Sequence, residues 1–97
     1  MQRISTAPAN EAQLRDIFDQ LQAIEQPGSG LVQTVVMRSR SDPNEVFVLV
    51  LFDSEENARA REQDPRRQEP LQRIRAGLTE VVTGPPEFFD CDVILTR

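Results

Sequence analysis

Residues 46–52 read Val-Phe-Val-Leu-Val-Leu-Phe and stop at Asp53-Ser54-Glu55-Glu56. The run is too short for a buried helix, holds only β-branched, aromatic and leucine side chains, and opens after Asp42-Pro43-Asn44, so it predicts a strand. Val46, Val48, Val50 and Phe52 then point to one face, and Phe47, Leu49 and Leu51 to the other. Both faces are apolar, which predicts a central strand covered on both sides. A small antiparallel sheet with helices on one face leaves its other face open, and a chain of 97 residues is too short to supply a second layer. A second copy of the chain is the expected cover.

Upstream, Leu31 to Arg38 supplies Val32, Val35, Val36 and Met37 with no helical stripe. It predicts a strand joined to the central one as an antiparallel hairpin through residues 38–44. Before it, Gln26-Pro27-Gly28-Ser29-Gly30 ends an amphipathic helix whose stripe is Leu14, Ile17, Phe18, Leu21 and Ile24. Asn10 stands as its N-cap and Glu11 in its first turn. Gln2 to Thr6, with Ile4 as its large apolar residue, predicts a short first strand that Pro8 ends.

Downstream, Asp53 with Glu56 three residues on is a capping-box-like start to a short helix from Ser54 to about Gln63, whose apolar residues are Ala58 and Ala60. Asp64-Pro65 interrupts it. A second helix is expected to begin near Pro70, a residue suited to a first helical position, with Leu71, Ile74, Leu78 and Val81 or Val82 as its buried stripe. Gly84-Pro85-Pro86 stops that helix. Glu87 to Thr96 predicts the last strand, with Phe89, Cys91, Val93 and Leu95 on one face and Phe88, Asp90, Asp92 and Ile94 on the other. The order predicts one domain over residues 1–97 of the α+β class, a ferredoxin-like βαββαβ fold with a four-stranded antiparallel sheet and helices on one face.

The net charge of −5, from sixteen acids and eleven bases without a long single-sign run, argues against nucleic acid or an anionic membrane as partner. No apolar stretch approaches the ~20 residues of a membrane span, and the N-terminus does not open like a signal peptide, so a cytoplasmic protein is expected. With no His and one Cys, a zinc site has too few of its usual ligands, and no metal is expected. Lys, Tyr and Trp are missing too, so any chemistry falls to carboxylates, Arg, Asn, Ser/Thr or Cys91.

Three stretches together resemble the antibiotic biosynthesis monooxygenase family of dimeric α/β-barrel proteins: Gln26-Pro27-Gly28-Ser29-Gly30-Leu31, then Arg40-Ser41-Asp42-Pro43-Asn44-Glu45-Val46-Phe47-Val48, then Phe52-Asp53-Ser54-Glu55-Glu56-Asn57-Ala58. Asp64-Pro65 and Gly84-Pro85-Pro86-Glu87 also sit where that family has them. The resemblance implies a homodimer whose sheets face each other as a barrel, with a pocket in each subunit between sheet and helices. Some relatives oxidise polycyclic aromatic substrates with molecular oxygen and no cofactor, others degrade haem, and many have no known activity. Phe52 stands where the family often has Trp, Arg59 and Arg61 stand where haem-degrading relatives place a His, and the first strand lacks their Asn. Haem degradation is therefore not expected, since nothing here supplies an axial imidazole.

The resemblance thus implies a cofactor-independent monooxygenase acting on a small aromatic or polyketide-like substrate, or a non-catalytic ligand-binding or structural dimer. Phe18, Phe52, Phe88 and Phe89 are candidates for lining an aromatic pocket, although Phe is mostly core in any fold. Among them Phe52, ending the central strand at the pocket mouth, stands out. Arg38, Arg59 and Arg61 are candidates for holding a substrate oxyanion, while Glu55 and Arg59 at four-residue spacing also make an ordinary helix pair. Asn57 is a candidate polar pocket group, and Asn10 is better explained as a cap. Asp90 and Asp92 share a strand face and are expected at solvent or against an Arg at the dimer edge. Cys91 is expected to be a buried structural thiol. The site residues expected to touch a ligand are therefore Phe18, Arg38, Phe52, Asn57, Arg61 and Phe88.

Overall fold

The structure, a computed structural model, describes residues 1–97. Strand β3, Glu45–Phe52, lies inside the sheet between β1 (Gln2–Ser5) and β2 (Leu31–Arg38), as its two apolar faces require. The strand order is β2-β3-β1-β4, with β4 at Glu87–Phe88, and every neighbouring pair is antiparallel. This is the open four-stranded sheet of the α+β ferredoxin-like fold.

The alternation along β3 separates two environments. Val46 and Val48 are 1% and 2% exposed and form the core with Ile4 and Leu14, while Phe18, Val50, Leu78 and Val82 pack around them. Phe47, Leu49 and Leu51 point the other way. The register sets Met37 across from Phe47 and Val35 across from Leu49, so this opposite face is also apolar and stays half-exposed. Ion pairs from Arg3 to Glu45 and Glu87 flank it.

Helix α1, Glu11–Ala23, buries Leu14 and Ile17. The expected Asn10 cap is not made by its side chain, whose Nδ2 reaches instead to the Val81 carbonyl at 3.4 Å. Helix α2, Glu55–Glu62, is capped by Ser54, not Asp53: Ser54 Oγ accepts the Asn57 backbone N–H at 3.1 Å, while Asp53 accepts the Asn57 side-chain amide at 2.7 Å. The helix follows one residue later than a capping box at Asp53 implies.

Helix α3 departs most from expectation. It runs Pro65–Val81 and so begins at Pro65, with Pro70 inside it. Asp64 is the N-cap, accepting the Arg66 N–H at 2.9 Å, and Pro65 takes the first helical position that suits proline. Pro70 has no N–H to donate to the Arg66 carbonyl, so that bond of the helix is absent. The added first turn is held by the cap and by the Gln68 side chain donating to the Glu62 carbonyl at 3.0 Å, and it carries Arg67, 4% exposed.

The last strand is also corrected. Only Glu87–Phe88 are strand, followed by two further bonds, from the Phe89 N–H to the Met1 carbonyl at 2.7 Å and from the Met1 amino group to the Phe89 carbonyl at 2.6 Å. Residues 90–97 form no ladder, and Cys91 is exposed and not buried. Val93, Ile94 and Leu95 are 59%, 97% and 66% exposed. No helix is long and apolar enough to cross a membrane.

Candidate functional site

The C-terminal end of β3 gathers the turn after α1, the whole of α2 and the first turn of α3. Gly30 makes the close approach possible. Its φ of +84° suits glycine, its carbonyl accepts the Asp53 N–H at 2.9 Å, and a Cβ placed there would lie 2.7 Å from Asn57 Cβ and Nδ2. One helical turn past Asn57, Arg61 reaches back over the end of the sheet. Its guanidinium carbon stands 5.2 Å from the centroid of the Phe52 ring, within cation–π range.

Glu25, just past the end of α1, clamps Arg61. Arg61 Nε donates to the two carboxylate oxygens at 2.9 and 3.0 Å, and Nη2 lies 2.8 Å from the first of them. The two side chains are 15% and 18% exposed. Burial pushes the Glu25 carboxyl upward, but hydrogen bonds from Arg61 and Ser29, with the charges of Arg61 and Arg67, hold it below the usual range. Arg67 completes the cluster from α3, with Nη1 donating to the Arg61 carbonyl at 3.4 Å. Burial, reinforced by the Arg61 charge, lowers its own pKa. One carboxylate thus faces two guanidiniums in a water-poor corner.

Glu25→Gln tests this pairing. A carboxyl with a depressed folded pKa contributes stability above its unfolded value of about 4.5 and loses it as pH falls through the folded pKa. Breaking a pair intermediate between exposed and buried should cost about 2 kcal/mol at pH 7. Urea unfolding of both proteins is expected to show that gap at pH 7 and a shrinking one as pH drops below about 4; a gap independent of pH would mean the carboxylate charge is not what stabilises.

Of the expected site residues, Phe52, Arg61 and Asn57 come together at this end. Phe18 is partly buried and packs against the core cluster of Ile4, Leu14, Val46 and Val48. Arg38 lies at the far end of the hairpin, opposite Val46, where it donates to the Thr6 carbonyl at 3.4 Å and to that of Pro43, and pairs with Glu11 at 3.7 Å. Phe88 is on edge strand β4, 71% exposed, and Arg59 is exposed and spent on Glu55. Sequence reasoning missed Glu25 and Arg67. Arg67 was in principle visible: with α3 starting at Pro65, it falls four residues before Leu71 and seven before Ile74, on the buried stripe. Glu25 had no local signal.

Two surface concavities lie elsewhere. One of about 330 Å³ is lined by Arg3, Glu45 and Glu87, and one of about 320 Å³ lies between α1 and α3 at Ile24, Pro70 and Ile74. No group of three or more His, Cys, Asp or Glu side chains is arranged to hold a metal ion.

Comparison with solved structures gives the same architecture. A crystal structure from Bordetella bronchiseptica, described as of the antibiotic biosynthesis monooxygenase type, superposes with a TM-score of 0.69 at 20% identity, covering 96% of this chain and 93% of that one. SnoaB, a cofactor-independent oxygenase from Streptomyces nogalater, superposes with a TM-score of 0.65 at 19% identity, covering 99% and 93%. A protein of unknown function from Nitrosomonas europaea gives 0.68 at 17% identity, covering 99% and 87%. At these identities the likeness is one of fold. No curated protein matches the sequence. The family model for antibiotic biosynthesis monooxygenase matches residues 1–70, most of the chain. On that match, and with the sheet and helices in the order its motifs led one to expect, this chain belongs to the antibiotic biosynthesis monooxygenase family.

Proposed function

We propose that the protein is a cytoplasmic homodimer that binds a small aromatic or polyketide-like ligand at the Phe52–Arg61 end of the sheet and oxygenates it without a cofactor. The observation that carries this reading is the Arg61 guanidinium over the Phe52 ring: an aromatic wall beside a fixed cation suits a planar substrate whose ionised oxygen needs a positive partner. The structural likeness to SnoaB, itself a cofactor-independent oxygenase, supports the reaction class. In such a reaction a diaryl CH2 becomes a carbonyl. The substrate supplies four electrons, one atom of O2 stays on carbon, and the other leaves as water with the two hydrogens. Arg61 would stabilise the enolate that reacts with oxygen, and Phe52 would hold its ring.

The homodimer rests on the half-exposed face of Val35, Met37, Phe47, Leu49 and Leu51, and on the apolar 93–95 segment, which this chain leaves bare. Exposed apolar surface of this kind marks an interaction site, and a second copy of the chain would cover it.

The test is oxygen uptake with anthrone-type and quinol substrates in air, without flavin or metal. Phe52→Ala and Arg61→Gln are each expected to lower kcat/KM at least ~10²-fold, the scale of one lost oxyanion donor. No uptake by the unaltered protein over the panel would sink the oxygenase reading. A second reading is favoured by a separate observation: Phe18 and Leu78 fill the space between sheet and helices. On it the protein is a non-catalytic ligand-binding or structural dimer, and substrates would bind without oxygen being consumed.

A further inference from the structure

Of the three α-helices, α2 alone buries no residue. α1 keeps Leu14 and Ile17 inside and α3 keeps Arg67 and Ile74, whereas the apolar side chains of α2 are Ala58 and Ala60. Eight residues are too few for a helix to persist in water by itself, so contacts with the rest of the chain must hold it. Several of its bonds cannot do so, because both partners lie within residues 53–59: Ser54 accepts the Asn57 N–H, Asp53 accepts the Asn57 amide, and Glu55 pairs with Arg59.

The contacts that remain are at its two ends. At the root, Asn57 lies against Gly30. At the far end, α3 donates to two carbonyls of the last turn, from Gln68 to Glu62 at 3.0 Å in an exposed position and from Arg67 to Arg61 at 3.4 Å. Such bonds compete with water or are long, and each adds little. The stronger tie is the Arg61 side chain, forked onto Glu25 and laid over the Phe52 ring. Glu25 draws it in, and the like charge of buried Arg67 pushes it out. The residues bounding α2 are extended, Ser54 at φ −155° and Asp64 at ψ 114°, so rotation there moves the helix without bending β3 or α3.

We propose that α2 is a lid on the end of the sheet, opening as a unit about residues 53–54 and 63–64 while the rest of the domain stays folded, with the Glu25–Arg61 pair as its latch. Opening lifts Arg61 off Phe52 and admits a small ligand to that ring, and closing returns the guanidinium beside it. This consequence for the ligand rests on the function proposed above, whereas the opening is a property of the chain alone.

The experiment is amide hydrogen exchange followed by mass spectrometry, on the full chain without ligand, across urea concentrations below the unfolding transition. Amides of residues 58–62 are expected to exchange at least ~100-fold faster than those of β3, at a rate nearly flat in urea because the opening exposes little surface, while exchange in β3 climbs with urea. Glu25→Gln is expected to speed exchange in α2 at least ~10-fold with the flat urea dependence kept. Arg59→Gln is the control: it breaks a fork of the same shape that stays inside the helix, and should change exchange there only about two-fold. The proposal is overturned if α2 shares the rate and urea dependence of β3, since it then opens only with the whole domain. It is equally overturned if Glu25→Gln leaves α2 exchange unchanged, or if Arg59→Gln has as large an effect. Neither substrate nor oxygen uptake enters these readouts, so loss of the lid and loss of the oxygenase reading are separate results.

Discussion

Val48→Arg should fail to fold, and Leu49→Arg, one residue along the same strand, should fold but no longer pair with a second copy. Val48 is 2% exposed and enclosed by Ile4, Leu14 and Val46, so an arginine there is an unpaired charge in an apolar core, costing several kcal/mol beyond the overpacking. Against a typical total of about 5–15 kcal/mol, that leaves little or no folded population. Leu49 points to the opposite, half-exposed face, where a guanidinium keeps its water in the monomer and loses it only if another sheet closes over it. Circular dichroism and light scattering after size exclusion separate the outcomes. A folded Val48→Arg protein would contradict the assignment of faces. A dimeric Leu49→Arg protein would remove the open face from the dimer interface.

Gly30→Ala is expected to have the next largest effect. Two terms add: the φ of +84° is unfavourable for a residue with a Cβ, and that Cβ would sit 2.7 Å from Asn57 Cβ and Nδ2 and closer still to Asp53 Oδ1. The backbone term is about 1–2 kcal/mol and the steric term about 1–3, so roughly 3 kcal/mol in sum. For a domain of this size, that shift lowers Tm by at least ~12 °C. Gly28→Ala is the internal control, because its φ is +76° yet nothing lies within 4 Å of an added Cβ. It should lose only the backbone term. Equal losses at the two glycines would mean that the approach of Gly30 to the Asp53–Asn57 pair is not tight in solution. Because this contact sets α2 over the end of β3, Gly30→Ala should also disturb Arg61 and the Glu25 pair.

The contrast between β3 and α3 shows how much of the protein is legible in the chain. β3 repeats its environment every second residue, and the repeat survives folding because the sheet lets each face meet one kind of neighbour. α3 was placed by its proline, and two prolines competed for the same role. Asp64 decides for Pro65 by capping the helix, a choice that rests on a 2.9 Å bond and not on composition. The error propagated to the site, since a helix starting at Pro70 leaves Arg67 in a loop. β4 differs for another reason: residues 89–96 alternate as a strand should, but a ladder needs a neighbour, and β1 pairs with Glu87 and Phe88 alone.

The candidate site divides along the same line. Phe52 and Asn57 were legible because each stands at a motif position, the end of the central strand and the first turn after it. Arg61 was legible only as one of three arginines that might face a ligand. Its selection over Arg38 and Arg59 came from Glu25, a partner 36 residues away in sequence.

By itself the sequence determined what local periodicity and turn chemistry can determine: a central two-faced strand, the amphipathic α1, the hairpin, the element order, and through these the family. Only the tertiary structure decided which charges meet, because an ion pair depends on where two chain segments cross and leaves no periodic trace in either. Arg61 with Glu25, and Arg67 buried beside them, are consequences of that crossing.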